Sequence, residues 1–238
     1  MFKGMRTDSI ISFSIDDVIE SLLWLERTKA KTVFDSHTYA FSRWLYEEYN
    51  ISTTCNCLYS DGVNNLSMIS DNFKEEFSAH SDWLKFSFHG WDFEKDYSNV
   101  SYEEAFNDIR IVENELIRIC GNESISKVVR THFFSGNDEA VKAWSDYGVK
   151  ELLTADDDRQ NNYNLSNEEI DELRRHSILK NGLLFTKTNI RLERYNEITH
   201  PIKTIKYRDR IVVFTHEKYI HEKWMKKVIS DLMNCEML

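Results

Sequence analysis

Ile10-Ile11-Ser12-Phe13-Ser14-Ile15 is a short β-rich run that stops on two adjacent carboxylates, Asp16-Asp17. Far along the chain, Arg210-Ile211-Val212-Val213-Phe214-Thr215 is the clearest buried strand, and it runs into His216. Between these two runs, strand and helix patterns alternate. Residues 51–59 are β-prone. Residues 83–88 alternate in polarity, with Leu84, Phe86 and Phe88 on one face, and stop at His89-Gly90. Residues 126–129 form a short strand reaching Arg130, and 149–153 form the next.

Helical spacing fills the intervals. Residues 41–49 carry apolar side chains at 41, 44, 45 and 49. Ser101 with Glu104 reads as a capping box, followed by Ala105, Ile109, Val112 and Leu116 on one face and closed after Cys120 by Gly121. Residues 139–147 form a helix closed by Gly148, Ser166 with Glu169 is a second capping box, and a last helix spans 222–233. Such alternation implies parallel βα units. The expectation is an α/β fold: a (β/α) barrel with mainly parallel strands, a distorted or seven-stranded barrel included. One proline (Pro201), seven glycines and no linker make residues 1–238 a single domain. In such barrels functional groups stand at the C-terminal ends of the strands.

Composition narrows the function. Forty acidic against thirty basic side chains give a net charge of -10, which argues against nucleic acid, since phosphate contacts need clustered Lys and Arg. Lys218, Lys223, Lys226 and Lys227 read as a solvated helix face. Lys3 and Arg6 precede no apolar stretch of signal length and no window reaches a membrane span, so a cytoplasmic location is the expectation. Cys55, Cys57, Cys120 and Cys235 are too irregularly spaced for a disulfide framework, and Cys55 and Cys57 read as strand residues pointing the same way.

Several residues capable of chemistry lie at expected strand ends. Asp16-Asp17 reads either as a general base beside a metal ligand or as the N-cap of a helix over 18–25. His89 precedes Gly90, which would allow close backbone approach, and Asp92 is a further oxygen ligand if a turn follows. Arg130 could hold a carboxylate, and His132, two residues on, would face the same side of a strand. His216, with Glu217 beside it, suits acid–base work. His37, His80, His176, His200 and His221 take no role, and Asp156-Asp157-Asp158 reads as a solvated loop. No Gly-x-Ser-x-Gly elbow and no glycine-rich phosphate loop occurs.

The order of these motifs resembles the polysaccharide deacetylase superfamily, carbohydrate esterase family four. Phe13-Ser14-Ile15-Asp16-Asp17-Val18 stands where that family has Thr-Phe-Asp-Asp-Gly. His89-Gly90-Trp91-Asp92-Phe93 corresponds to His-Ser/Thr-x-x-His, with Phe93 in place of the second histidine. Arg130-Thr131-His132-Phe133 matches Arg-x-Pro-Tyr/Phe, and Phe214-Thr215-His216 matches the last motif. The fourth motif, an Asp-rich loop, is suggested only by Asp156-Asp157. The missing histidine and the Val18 that replaces glycine mark a divergent branch.

The resemblance implies a metal-dependent hydrolase that removes N-acetyl groups from a polysaccharide or glycan precursor. Asp16 would be the base, Arg130 would hold Asp16, and His216 would be the acid. Asp17 and His89 would bind a divalent metal, zinc first, with Asp92 or His132 as the third ligand and His132 favoured for its more rigid position. Some of the 14 Phe, 11 Tyr and 6 Trp could form a sugar-stacking wall, although most belong to the core. The alternative is an inactive deacetylase-like module that binds a glycan or a glycan-biosynthesis partner. The missing histidine favours that alternative.

Overall fold

The computed structural model describes residues 10–157, 162–197, 210–220 and 223–234. Lys3, Arg6, Asp158, His200, Pro201, His221, Glu222 and Cys235 lie outside the described residues. In chain order the elements are β1 (Ile10–Val18), α1 (Glu20–Thr28), α2 (His37–Tyr49), β2 (Thr53–Leu58), α3 (Lys74–Ala79) and β3 (Leu84–Gly90). Then follow α4 (Tyr102–Cys120), β4 (Val128–Val129), α5 (Asp138–Tyr147), β5 (Glu151–Thr154) and α6 (Asn167–Leu173). The last are β6 (Ile178–Lys180), β7 (Leu183–Lys187), β8 (Ile190–Arg191), β9 (Arg210–His216) and a final helix, here α7 (Lys223–Asn234).

The strands form two sheets, β3-β2-β1-β9-β8 and β4-β5-β7-β6. The expected α/β architecture with mainly parallel strands is present: among these pairings only β6–β7 is antiparallel. Two seams join the sheets. Ser126 N donates to Phe86 O at 2.8 Å, ahead of β4. On the other side the chain leaves β7 and enters β8 within a few residues, where Thr188 N donates to Thr154 O and Asn189 N to Val212 O. Both sheets therefore border one polar lumen, a cavity of about 310 Å³ lined by Ser12, Ser14, Thr54, Asn56, Leu153 and Arg210.

Local chemistry explains most elements. On α4, Ser101 Oγ accepts from Glu104 N at 3.2 Å, and Ala105, Ile109, Val112 and Leu116 are fully buried. Burying a large aliphatic side chain is worth roughly 1.5–3 kcal/mol, so this face holds the helix on the barrel. Gly121 ends it at φ +88, where a Cβ would lie 2.0 Å from Ser78 Oγ. Both bonds of the second capping box form at the start of α6. Cys55 and Cys57 are buried in the core, and burial pushes both thiols up. Lys223, Lys226 and Lys227 are exposed on α7 while Met225, Val228 and Ile229 face inward.

Other expectations need correction. Neither Asp16 nor Asp17 caps α1. That helix starts at Glu20 with Ile19 as its N-cap, and it has no side-chain cap of its own. Glu217 supplies the cap from β9's end, accepting from Ile19 N, Glu20 N and Ser21 N at 3.1, 2.9 and 2.9 Å. The strand expected over 126–129 shrinks to Val128–Val129, and His132 begins a 3-10 turn rather than continuing a strand. The β6–β7 hairpin and β8 carry no sequence expectation at all.

Candidate active site

The site grows out of a bulge in β1. Ile15 pairs with Cys55, yet the next pairing is Val18 with Cys57, and Asp17 takes a left-handed φ of +63. A β-bulge re-aims side chains and bends its strand. Here it sends two consecutive carboxylates to different destinations.

Asp16, 1% exposed, turns into the lumen. Arg130 Nη1 donates to both its oxygens at 3.1 and 3.2 Å, and Asn56 Nδ2 donates to Oδ1 at 2.6 Å. Arg130 is itself fully buried. It donates further to Ser14 Oγ at 2.6 Å and to Thr188 Oγ1 at 3.0 Å, and its guanidinium lies 4.3 Å over the Phe214 ring. Only its Nε lacks a partner. A buried charge needs such pairing, because desolvation alone costs several kcal/mol per ion.

Asp17 faces two histidines. Its Oδ1 is 3.2 Å from His89 Nε2 and 3.7 Å from His132 Nε2. His89 Nδ1 donates to Arg130 O at 2.6 Å, which leaves Nε2 to face Asp17. This is how ligating histidines are usually oriented. Burial pushes the Asp17 carboxyl up, but the His89 hydrogen bond and charge, then His216 and His132, outweigh it and hold it at about 2. His89 moves the other way: burial disfavours its charge, and the Asp17 bond with the Asp16 and Asp17 charges raises it above its ordinary value. His132 is pushed down to about 4 by burial and by the His89 charge, with Asp17 only partly opposing.

Among the described residues no group of three or more His, Cys, Asp and Glu already encloses a metal-sized centre. Asp17, His89 and His132 face one another more loosely, through the two contacts of the Asp17 carboxylate. Zinc bonds of ~2.0–2.1 Å at a tetrahedral angle place neighbouring ligand atoms about 3.3 Å apart; the His89 contact at 3.2 Å meets that spacing, and the His132 contact at 3.7 Å is longer. Asp92 is elsewhere: its Oδ1 accepts from Glu94 N and Lys95 N, closing a turn, and no hydrogen bond or ion pair ties it to the trio. Phe93 is 41% exposed, its ring 6.2 Å from that of His132.

His216 ends β9 in register with Asp16. Its Nδ1 contacts Glu193 Oε1, and Arg191 Nη2 donates to its Nε2 at 3.2 Å. Thr215 Oγ1 donates to Glu193 Oε2 at 3.0 Å. Neither Arg191 nor Glu193 is among the residues that the sequence singles out. The alternation of Ile190-Arg191-Leu192-Glu193, with Ile190 and Leu192 buried, was the available signal. Asn56 was also missed, although a lone amide between Cys55 and Cys57 must face away from them. Asp156 and Asp157 are only partly exposed and lie 3.8 Å from Arg194, so the solvated-loop reading fails for both. Gly90 leaves room for a Cβ, with its nearest atom at 3.5 Å; what it supplies is a φ of +155.

A cavity of about 690 Å³ opens beside the trio, lined by Asp17, His132, Trp24, Phe93, Phe133 and Lys218 among others. Phe133 and Phe134 both have positive φ, +60 and +53. Left-handed backbone costs roughly 1–2 kcal/mol at each such residue. The turn sends Phe133 outward, 47% exposed, and Phe134 inward onto Phe214.

No family model and no curated protein matches this chain. Solved structures do. A protein assigned as a polysaccharide deacetylase from Mycobacterium smegmatis aligns over 100% of this chain and 87% of its own, at 11% identity and a TM-score of 0.55. The 4-alpha-glucanotransferase of Thermococcus litoralis aligns over 94% of this chain and 37% of its own, at 15% identity and a TM-score of 0.54. The catalytic domain of a peptidoglycan N-acetylglucosamine deacetylase from Eubacterium rectale aligns over 95% and 83%, at 12% identity and a TM-score of 0.48. The chain thus has the fold of polysaccharide deacetylases, shared with part of a 4-alpha-glucanotransferase, and a fold alone does not choose a chemistry.

Proposed function

We propose that this chain is a metal-dependent carbohydrate deacetylase that hydrolyses an acetyl amide on a glycan or glycan precursor. The observation that carries the reading is the meeting of three units at one end of the strands: Asp16–Arg130, Asp17–His89–His132, and His216–Glu193. Asp17, His89 and His132 would hold a divalent ion, zinc first, and Asp92 drops out of the set. Such an ion, when bound, polarises the acyl carbonyl and acidifies water. Asp16, held by Arg130 and Asn56, takes a proton from the attacking water. His216, its Nδ1 on Glu193, gives a proton to the leaving amine through Nε2. Trp24, Phe93 and Phe133 border the cavity and offer apolar faces to a sugar ring.

No helix among the described residues is long and apolar enough to cross a membrane. The test is acetate release from N-acetylated oligosaccharides by zinc-loaded protein, with Asp16→Asn and His216→Gln alongside. Release that both variants abolish supports the reading; zinc-loaded wild type with no release from any acetylated glycan removes it. A second reading, a glycan-binding module without catalysis, draws on Phe93 standing where the resemblance expects a histidine. It requires glycan binding without turnover.

A further inference from the structure

Arg191 is a cation beside His216 to which the proposed reaction gives no task. A guanidinium has only N–H donors and does not lose its charge. Its contact with His216 Nε2 at 3.2 Å therefore makes Nε2 the acceptor. The ring's single proton stands on Nδ1, toward Glu193. That is the wrong atom for proton delivery, since Nδ1 is engaged and Nε2 is capped. Arg191 is also weakly compensated. Arg130 has Asp16 at 3.1 Å, whereas Arg191 Nε has Glu193 only at 3.6 Å, and that carboxylate already holds His216 and Thr215. Arg191 Nε is buried without a hydrogen bond, and its guanidinium lies 5.0 Å over the same Phe214 ring that Arg130 covers.

A sugar hydroxyl is a weak competitor for this guanidinium, but a carboxylate or phosphate forms the stronger, two-pronged pair. We propose that Arg191 is a specificity-determining residue: it caps His216 Nε2 until an anionic substituent of the substrate takes the guanidinium, and so favours acetylated sugars that carry a carboxylate or a phosphate. Once uncapped, Nε2 takes a proton from solvent and passes it to the amine nitrogen as the C–N bond breaks. The ring ends as it began, with its proton on Nδ1. This rests on the reading of His216 as the proton donor.

The test is nitrogen-15 NMR of histidine-labelled, metal-free, full-length protein, titrated with inorganic phosphate and, separately, with a simple uronic acid. The wild type should show His216 protonated on Nδ1, and at least one anion should shift its Nε2 signal. Arg191→Gln should lose that response, and Arg191→Lys should keep part of it. Response to the uronic acid alone assigns a carboxylated sugar, to phosphate alone a phosphorylated one, and to both a general anion site. A wild-type proton on Nε2, no shift with either anion, or a shift that survives in Arg191→Gln overturns the proposal. Where turnover is measurable, Arg191→Gln should lower kcat/KM for anionic acetylated sugars at least about tenfold more than for neutral ones. Equal losses also overturn it. The NMR outcomes stand whether or not the protein proves to be a deacetylase.

Discussion

Asp16 and Asp17 are neighbours in sequence and opposites in surroundings. Asp16 is buried in the lumen, its Oδ1 bonded by Arg130 and Asn56 and its Oδ2 by Arg130 alone. Asp17 stands on the cavity wall, on left-handed backbone, facing two histidine nitrogens that are not fully engaged. One is a completed ion pair and the other an incomplete set of donors. A completed buried pair is expensive to break and contributes to a fixed geometry, whereas an incomplete one is available to a ligand. The bulge in β1 is what allows two adjacent carboxylates to be both.

The largest expected effect breaks the sealed side. Arg130→Met strands the Asp16 charge in the lumen and should destabilise the fold by about 3–5 kcal/mol, read by urea denaturation. Asp17→Asn should cost less, about 1.5–3 kcal/mol, because it loses the hydrogen bond to His89 but strands no carboxylate. Similar costs for the two would erase the distinction.

Metal binding should rank the two aspartates in reverse. By calorimetry with zinc, cobalt, nickel and manganese, Asp17→Asn should abolish uptake that Asp16→Asn retains. His132→Ala should weaken it more than about tenfold, or ~1.4 kcal/mol. Unchanged affinity in His132→Ala would remove it from the trio.

A smaller effect appears with pH in the metal-free protein. His132 is held at about 4 against 6.5 when free, so between those values the unfolded chain binds a proton that the folded chain does not. Stability should therefore fall as pH drops from 6.5 toward 4. Asp17, lowered from 3.8 to about 2, extends the loss below pH 4. His89 is raised, so its contribution is full below 6.5 and lost as pH rises through its folded value. His132→Gln should flatten the slope between pH 6.5 and 4; an unaltered slope assigns it to other groups.

The same contrast separates what the sequence revealed from what it hid. Asp16 and the β1 and β9 strands are legible because runs rich in apolar residues end on ionisable ones; Arg130 is legible only as the end of a strand expected over 126–129, of which two residues form. His132 was reached through a mistaken premise: no strand continues past Val129, and a strained turn at Phe133 and Phe134 positions it instead. Arg191, Glu193 and Glu217 act through tertiary contacts. Arg191 ends a strand of only two residues, Glu193 lies just past it, and Glu217 caps a helix 198 residues earlier in sequence. Short strands leave too few residues for a period to show.

The smallest expected effect sharpens the incomplete side. Phe93→His restores the histidine that the deacetylase pattern has at this place. If His132 already serves as the third donor, the new imidazole finds the position taken. Phe93 is 41% exposed at the cavity edge, with its ring 6.2 Å from His132, so a histidine there can point to solvent without strain. Zinc affinity should then rise by less than about tenfold, under ~1.4 kcal/mol. In the His132→Ala background the same substitution should recover most of the lost affinity, because it returns a nitrogen donor to the same cavity edge. A large gain in the wild-type background, or no recovery in the double variant, would mean that His132 and residue 93 are not alternative sources of one ligand.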